Sequence, residues 1–427
     1  MRIYFSGIGG VGIGPLAEIA LDAGYSVYGS DREPSVMTKS LQNRGVNISF
    51  DQSGDFLQTE HKKSPFDWFV YTSALPDNHP ELTLAKQLGI KTGKRDELIA
   101  KIISDKNLKL IAIAGTHGKT TTTGMLVWAF HQLNIPVSYS IGSTIQFGPS
   151  GRFDKDSQFF VYECDEFDKN FLHFYPWLSI ITSIDYDHPD TYPSKIDYTN
   201  AFGQFINQSK HCIIYKDDFD DFDDFDNLNI KDTVLDLIDK NEHKNKINSI
   251  NLAGNHNREN AYLILTELEN MGIQTDKAQL AIESFPGTGR RFEKIADNLY
   301  SDYGHHPIEI AATLQMAKEL NDRVILVYQP HQNIRQHEII DQYTNCMDKA
   351  DTIYWLPTYL TREDPKLEIL TPQALTKNLI NKSSLEFAEL DNNLWDKINT
   401  ERKNGKLVLC MGAGTIDGWL RAKISKN

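Results

Sequence analysis

Short apolar runs alternate along this chain with longer segments in which apolar residues recur at helical spacing. The first unit comprises a strand at residues 3–5, a helix at 16–23 and a second strand at 26–28. Alternation of strands and helices is typical of parallel sheets whose crossover connections are helices. The pattern therefore predicts an α/β fold with mostly parallel sheets.

The same alternation continues towards the C-terminus. It predicts strands at 68–71, 110–114, 159–162, 178–184, 324–327, 353–356 and 407–410, and a further helix at 337–350. A polar, lysine-rich stretch at 101–109 and the sequence Pro-Gly-Thr-Gly at 286–289 interrupt it. Glycine and proline commonly interrupt regular secondary structure, and 427 residues correspond to about three domains. We therefore expect domain boundaries at these two places.

The overall charge limits the kinds of partner. The chain has 44 lysines and arginines against 58 aspartates and glutamates, a net charge of −14. This argues against a general nucleic-acid binder, because a phosphate backbone requires a positive surface. One small phosphorylated ligand remains compatible with the charge, since a few cations and backbone amides are enough to bind it.

The cysteines and the apolar runs indicate the compartment. The four cysteines lie far apart and form no CxxC pair, which argues against a disulfide framework or a zinc cluster and fits a reducing cytosol. No apolar run approaches the length of about 18 residues that a membrane span requires, and the chain opens on a strand rather than a signal peptide. We therefore expect a cytoplasmic protein without a membrane or nucleic-acid partner.

One segment has an unusual composition. Residues 217–226 read DDFDDFDDFD. We interpret the segment as a solvated surface loop with its phenylalanines packed inward, and the alternative is an acidic loop that binds a cation.

The first strand leads into a glycine-rich turn. Residues 7–12 read GIGGVG between a strand and a helix, and Asp31 follows the next strand. In this arrangement the glycines allow a tight turn and close approach of a diphosphate, and the helix N-terminus adds amides and a positive dipole. The turn fits a dinucleotide such as NAD or a nucleotide-diphosphate sugar equally well. A glycine turn without a ligand is the structural alternative.

A second glycine-rich loop follows a buried strand. The apolar run 108–114 ends in GTHGKTTT at 115–122, and a helical pattern follows. A phosphate-binding loop requires this context, in which amides surround a phosphate, Lys119 reaches the β- and γ-phosphates, and the Thr120 hydroxyl ligates Mg²⁺. The loop is shorter than the eight-residue form, because its first glycine lies three positions before Gly118.

Acidic residues after the following strands suggest metal ligands. Glu163 ends the run 159–162, and ligands of parallel sheets bind at such strand ends. Since Mg²⁺ prefers oxygen ligands, Glu163 is the best second ligand, whereas Asp165 and Glu166 are interpreted as solvated charges. His188 follows the strand at 178–184 and is either a turn residue or a ligand to a second cation.

Together these motifs resemble the Mur ligases of peptidoglycan synthesis, in order and along nearly the whole chain. The matching stretches are GTHGKTTT at 115–122, Glu163, DHPDTY at 187–192, GNHNREN at 254–260, RRFE at 290–293, DYGHHP at 302–307 and QPH at 329–331. Within the family, the chain is most similar to the branch that joins L-alanine to UDP-N-acetylmuramate.

The resemblance implies three domains and one reaction. A Rossmann-like domain at 1–103 would bind the UDP-sugar, a central P-loop ATPase domain at 104–289 would bind ATP, and a Rossmann-like domain at 290–427 would close over ATP and the amino acid. ATP and Mg²⁺ would convert the substrate carboxylate into an acyl phosphate, which the amine of L-alanine attacks in the cytoplasm. We expect a monomer or a weak homodimer.

The resemblance also implies roles for individual residues. ATP contacts would come from Gly115, Thr116, His117, Gly118, Lys119, Thr120, Thr121, His256, Asn257, Asn260, Arg291 and Tyr303. UDP-sugar contacts would come from Gly9, Gly10, Val11, Gly12, Asp31, Ser73 and Ala74. Metal ligands would be Thr120, Glu163 and His188. The catalytic group would comprise Lys119, His305, His331 and Arg335, with His305 the first choice of general base and His331 the second.

One position departs from the family pattern. The alanine-adding branch reads Pro-His-Arg-x-x-Arg at the amino-acid site, but here Gln332 replaces the first arginine and Arg335 is retained. Glutamine brings no charge, so capture of the substrate carboxylate is weakened. Arg335 then acts alone, or another arginine such as Arg362 substitutes.

Three alternatives remain open on the sequence. The first is a family member that adds a whole peptide to UDP-N-acetylmuramate in cell-wall recycling, which Gln332 keeps open. The second is an NAD-dependent oxidoreductase, which the turn at 7–12 and Asp31 suggest but which leaves the second glycine loop unexplained. The third is a nucleotide-binding scaffold without ligase activity.

Overall fold

A computed structural model describes residues 1–10, 12–72, 75–188, 191–220, 230, 232–361 and 363–425. Clustering of the backbone divides the chain into two compact units. The first contains Met1–Lys244 and Leu263–Phe285, and the second contains Asn245–Tyr262 and Pro286–Asn427.

The first unit begins with a five-stranded sheet, all of whose strand pairs are parallel. Its strands are β1 (Arg2–Ser6), β2 (Ser26–Ser30), β3 (Asn47–Ser49), β4 (Trp68–Val70) and β5 (Lys91–Gly93), in the order β3-β2-β1-β4-β5. The helices are α1 (Gly14–Asp22), α2 (Val36–Asn43), α3 (Asp55–Lys63), α4 (Pro80–Gln87) and α5 (Arg95–Asp105). The chain leaves β1 to one side for β2 and later returns to its other side for β4, so the end of β1 lies at a switch point, where ligands of such sheets bind.

A second sheet of seven strands completes the first unit. Its strands are β6 (Lys109–Ala114), β7 (Val137–Ser140), β8 (Gly151–Arg152), β9 (Phe159–Glu163), β10 (Leu178–Ile181), β11 (His211–Tyr215) and β12 (Val234–Ile238), in the order β12-β11-β10-β6-β9-β7-β8. Among the described strand pairs of this sheet, only β7–β8 is antiparallel. β6 lies between β9 and β10, so the ends of these three strands meet at one edge.

Helices and one 3₁₀ segment lie between these strands and after the last of them. They are α6 (Lys119–Gln132), the 3₁₀ segment Phe167–His173, α7 (Lys195–Gln208), α8 (Lys216–Asp220), α9 (Lys244–Ser249), α10 (Asn255–Asn270) and α11 (Thr275–Glu283). The first half of α10 belongs to the second unit and the rest to the first.

The second unit contains a sheet of six strands. Its strands are β13 (Glu293–Ala296), β14 (Leu299–Asp302), β15 (Val324–Tyr328), β16 (Thr352–Trp355), β17 (Leu385–Phe387) and β18 (Leu407–Met411), in the order β13-β14-β18-β15-β16-β17. All pairs except β13–β14 are parallel. The helices are α12 (Pro307–Leu320), α13 (Asn333–Ile339), α14 (Pro372–Leu375), α15 (Asn392–Lys403) and α16 (Ile416–Ile424), with 3₁₀ segments at Ile340–Tyr343 and Lys382–Ser384. The predicted α/β architecture with mostly parallel sheets is confirmed.

The lysine-rich stretch at 101–109, where we expect a domain boundary, belongs to α5 as far as Asp105, and Ile102 and Ile103 are buried on the inner side of this helix. One local prediction was wrong. The helix predicted at 337–350 instead starts at Asn333 and ends as a 3₁₀ segment at Tyr343. Its start is fixed by Glu363, whose carboxylate accepts from the Asn333 and Ile334 amides at 3.0 and 3.2 Å.

No helix among the described residues combines the length and the apolar character of a membrane-spanning segment.

Candidate active site

The loop at 115–118 has a backbone that requires glycine. Gly115 has φ +129°, and a Cβ there would lie 2.4 Å from Thr182 Oγ1. Gly118 has φ +81° and forms the N-cap of α6. The loop is attached to the end of β10, since the Thr116 amide donates to Ser183 O at 2.9 Å. The predicted strand–loop–helix arrangement is therefore present, with α6 beginning at Lys119.

Lys119 is held in place by a buried carboxylate. Its Nζ donates to both oxygens of Glu166, at 2.8 and 3.0 Å, and to Gly115 O at 2.6 Å. Burial favours the neutral amine, but the charge of Glu166 prevails and raises the pKa of Lys119. The ammonium is therefore fixed at the mouth of the loop in its charged form.

Glu166 corrects an expectation from the sequence. The side chain is 1% exposed, so it is not a solvated charge. Burial raises the pKa of this carboxyl, but Lys119 and His188 outweigh burial, and the net effect is a lowered pKa. His188 Nε2 lies 3.6 Å from Glu166 Oε1, which places Glu166 between the lysine and the histidine.

Thr120 and Glu163 are brought together as the sequence predicts. The Thr120 hydroxyl donates to Glu163 Oε1 at 2.7 Å, and the Gly142 amide donates to Glu163 Oε2 at 2.8 Å. A Cβ at Gly142 would lie 2.7 Å from the same carboxylate. Two hard oxygen donors thus meet beside the first turn of α6, which is the donor set that Mg²⁺ prefers.

The rest of the loop is bound to the segment after β10. Thr116 Oγ1 lies 2.7 Å from the Tyr198 hydroxyl and 2.8 Å from Asp185 O. His117 Nε2 lies 3.5 Å from Asp185 Oδ2, and half-buried Thr121 follows on α6. Sequence reasoning missed Gly142, Asp185 and Tyr198 because no motif spacing singles them out.

The N-terminal glycine turn is shaped by its own acidic residue. The Gly9 amide donates to Asp31 Oδ2 at 2.7 Å, and the Arg32 amide donates to Asp31 Oδ1 at 2.7 Å. A Cβ at Gly9 would lie 2.8 Å from Ser35 Oγ, whereas Gly12 has open space around it and Gly10 faces only its own turn. Asp31 therefore stabilises the turn as well as lying beside it. Val11, Ser73 and Ala74 lie outside the described residues.

A buried glutamate fixes the strand ends at this turn. Glu81 is fully buried and accepts from the hydroxyls of Tyr4, Ser6 and Ser30 at 2.6, 2.6 and 2.7 Å. Ser6 and Ser30 are the last residues of β1 and β2. No sequence motif indicates this role, because Glu81 lies in α4, far along the chain from β1 and β2.

In the second unit, His305 contacts Arg335. An Arg335 Nη1 lies 2.5 Å from His305 Nε2, and His305 Nδ1 lies 3.2 Å from Tyr303 O. Because arginine only donates, Nε2 accepts and the proton is on Nδ1. Burial lowers the pKa of His305 to about 4. The imidazole is therefore neutral.

The neighbouring loop places the remaining residues of this group. The His331 ring centroid lies 5.3 Å from that of His305, and the ring stacks on Tyr359 at 5.7 Å. Gln332 has φ +59°, and its amide donates to Tyr359 O at 2.9 Å. Arg362, the suggested substitute arginine, lies outside the described residues.

The other residues assigned to ATP lie in this unit as well. The guanidiniums of Arg290 and Arg291 lie 4.6 and 5.1 Å from the centroid of the Tyr303 ring. Asn257 and buried Asn260 lie near the start of α10, and burial lowers the pKa of His256 to about 4.

A salt bridge attaches this start of α10 to α12. Arg258 Nη1 and Nη2 donate to the two carboxylate oxygens of Glu319, at 2.8 and 2.7 Å. The segment is thereby fixed against the sheet of the second unit.

The acidic segment has only a partial description. Residues 217–220 lie in α8, and residues 221–226 lie outside the described residues. For residues 217–220 the predicted loop is therefore corrected to a helix, in which Phe219 packs against the core as expected. For residues 221–226 the interpretation as a solvated loop stays a prediction.

Comparisons with known proteins give matches along the chain. The model "Mur ligase family, catalytic domain" matches residues 2–107, "Mur ligase middle domain" matches 113–231, and "Mur ligase, glutamate ligase domain" matches 290–414. The UDP-N-acetylmuramate–L-alanine ligase of Clostridium novyi (strain NT) is 30% identical, covering 97% of this chain and 95% of that protein. The enzyme of the same name from Clostridium botulinum (strain Hall) is 32% identical, with coverages of 97% and 95%.

Solved structures share the fold. The UDP-N-acetylmuramate-alanine ligase MurC from Thermotoga maritima superposes with a TM-score of 0.74 at 23% identity, covering 100% of this chain and 99% of that one. A murein peptide ligase from Psychrobacter arcticus gives 0.62 at 23% identity, with coverages of 100% and 98%. These likenesses show the same three-domain α/β architecture.

Proposed function

This chain belongs to the Mur ligase family, and from that premise we propose that it joins L-alanine to the carboxylate of UDP-N-acetylmuramate, using ATP, in peptidoglycan synthesis. The observation that carries the proposal is the convergence of Lys119, Thr120 and Glu163 at the ends of β6 and β9. Relatives that are about 30% identical along the whole chain have the corresponding name.

The chemistry requires a leaving group on the acid. A carboxylate is a poor electrophile, so the γ-phosphoryl group of ATP is transferred to its oxygen, giving ADP and an acyl phosphate. The amine of alanine then attacks the carbonyl carbon, the C–O bond to phosphate breaks, and an amide and inorganic phosphate result. Phosphoryl transfer depends mainly on positioning and charge neutralisation, which a lysine fixed at the strand ends supplies.

Thr120 and Glu163 would hold Mg²⁺, since both present oxygen at one point beside α6. Mg²⁺ supplies positive charge to the phosphates. His188 would contribute to a second cation position near Glu166. Glu166 itself positions Lys119, because its two oxygens hold the ammonium beside the loop carbonyls.

The UDP-sugar would lie at the N-terminal glycine turn. There the start of α1 supplies a positive dipole end, and Gly12 leaves room for a diphosphate to approach the backbone. Asp31 keeps the turn in shape through the Gly9 amide. We propose that the reaction takes place in the cytoplasm, which the widely spaced, unpaired cysteines support.

Arg335 would bind the carboxylate of the amino acid. Because His305 Nε2 accepts from Arg335, His305 orients this arginine and is a poor general base. We therefore reverse the order expected from the sequence and assign proton removal from the amine to His331, whose ring is adjacent.

A substrate panel tests the proposal. ATP, Mg²⁺ and UDP-N-acetylmuramate are incubated with single amino acids and with peptides, and phosphate release and product mass are measured. Product with L-alanine alone supports the proposal. Product only with a peptide transfers the assignment to a cell-wall recycling ligase, and no product with any acceptor supports a scaffold without activity.

Two further measurements complete the test. Lys119→Ala should abolish turnover but retain UDP-sugar binding by calorimetry, and normal turnover in this variant would remove the loop from the mechanism. Bound nicotinamide cofactor in native mass spectrometry would favour the oxidoreductase. Sedimentation velocity tests the expected monomer or weak homodimer.

A further inference from the structure

Three ionisable side chains meet away from the candidate active site. His211 opens β11, Asp236 lies in β12, and Glu267 lies on the part of α10 that packs in the first unit. His211 Nε2 lies 2.9 Å from Asp236 Oδ2, and His211 Nδ1 lies 3.4 Å from Glu267 Oε2. One ligand atom from each residue lies within 4.8 Å of the other two.

Glu267 has an oxygen that protein groups do not satisfy. The residue is 2% exposed, and its Oε1 accepts no hydrogen bond from the residues that the structure describes. The Asn270 amide nearby donates to Asp236 Oδ2, at 3.4 Å. Buried carboxylate oxygens are normally paired or bound to metal, because leaving them without a partner is costly. The position of Glu267 therefore points to a missing positive partner.

The two ring nitrogens of His211 have different roles. If Nε2–H donates to Asp236, the Nδ1 lone pair faces Glu267. Burial raises the pKa of Glu267 to about 7, so the space between Nδ1 and this carboxyl holds either a proton or a cation. Histidines that bind metals commonly donate their other ring N–H to a carboxylate in this way. Two ligands about 2.0–2.1 Å from a tetrahedral zinc ion lie about 3.3 Å apart, close to the observed separation of Nδ1 and Oε2.

We propose that His211 Nδ1 and the Glu267 carboxylate bind a divalent transition-metal ion of the Zn²⁺ class, with Asp236 orienting the imidazole and water completing the coordination. Imidazole and carboxylate are ligands that such ions accept. The ion compensates the two carboxylates and links β11, β12 and α10. The site is independent of the proposed ligase function, which uses other residues.

Co²⁺ is a suitable probe, because its visible spectrum reports tetrahedral coordination. The full chain is stripped of metal and titrated with Co²⁺, and the absorbance and the stoichiometry are measured. We expect one saturable site, which Glu267→Gln weakens at least about 10-fold, because an amide oxygen is a poorer ligand. Glu163→Gln, which alters the proposed Mg²⁺ site, should keep the spectrum and the affinity.

A second variant guards against a folding defect. If Glu267→Gln fails to fold by circular dichroism, Asp236→Asn replaces it, with an expected loss of about 10–100-fold in affinity for a residue that orients a ligand. The proposal is overturned if the wild type shows no saturable tetrahedral spectrum, if the variants bind Co²⁺ as the wild type does, or if Glu163→Gln abolishes the signal. Any of these results would mean that a shared proton, and not a metal ion, lies between His211, Asp236 and Glu267.

Discussion

The buried pair of Lys119 and Glu166 permits a quantitative test of the site's architecture. At 2.8 Å and an effective dielectric constant of about 20, their attraction is about 6 kcal/mol before the cost of desolvation. Removing one member of a buried pair costs about 3–5 kcal/mol, because the other charge stays buried without its partner. The structure indicates where in this range each single variant falls.

Glu166→Gln should lie at the lower end of this range, at about 3 kcal/mol. The ammonium keeps Gly115 O at 2.6 Å and Thr116 O at 3.2 Å as acceptors. Lys119→Met should cost about 5 kcal/mol, because Glu166 then loses its ammonium partner and keeps the more distant imidazole of His188, 3.6 Å away, among its described contacts. The double variant buries neither charge and should cost no more than either single one, which is about 3 kcal/mol or less. The coupling energy is then about 5 kcal/mol or more.

Urea unfolding, monitored by hydrogen exchange with mass spectrometry, measures the free energies of unfolding of the wild type and the variants. Peptides from β6 and α6 report on the first unit, whereas a whole-chain signal mixes two compact units. The cycle also depends on pH. Wild-type Glu166 has a lowered pKa, so its contribution is present above its ordinary value near 4.5 and is lost as pH falls through the folded value. Single costs that add to within about 0.5 kcal/mol would refute the pairing.

Three further outcomes are expected. Glu163→Gln should lower kcat by about 10²–10³-fold with unchanged UDP-sugar binding, and a kcat within about threefold of wild type would contradict the proposed metal site. Gly9→Ala should lower Tm, because the added Cβ lies 2.8 Å from Ser35 Oγ. Gly12→Ala should keep the wild-type Tm and weaken only UDP-sugar binding in calorimetry, and equal Tm values for the two variants would contradict the difference in space around the two glycines. The pKa of His305 is lowered from 6.5 to about 4, so the free energy of unfolding should fall by up to about 3 kcal/mol as pH drops from 6.5 to 4. In urea titrations, the free energy of unfolding of His305→Gln should change less steeply with pH than that of the wild type.

Features that depend on local sequence were predictable. The run of apolar residues before GTHGKTTT predicts β6 and the loop, because strand, glycines and helix start are contiguous. Thr120 and Glu163 meet because β6 and β9 are parallel neighbours, whose carboxyl ends lie at one edge. Here two strands that are neighbours in the sheet bring together residues that lie far apart in the sequence.

Features that depend on distant partners were not predictable. Glu166 follows a strand like any solvated acid, and its burial results from Lys119, 47 residues earlier. The start of α13 depends on Glu363, which caps it from another segment. Asp31 has the position of a sugar-binding acid, but its carboxylate also accepts the amide of Gly9. A single sequence does not show which residues are neighbours in space, so it contains no signal for such contacts.

The acidic chain can bind polyanionic substrates because the relevant positive charge is local. A net charge of −14 repels a free triphosphate at long range, but salt at physiological concentration screens interactions beyond about 8 Å. Within that distance the ligand would meet backbone amides at the starts of α1 and α6 and the ammonium of Lys119. Glu166 neutralises the charge of this lysine while keeping it protonated. In the proposed reaction, the ammonium of Lys119 would exchange Glu166 for phosphate, and the ease of that exchange would then set the affinity for ATP.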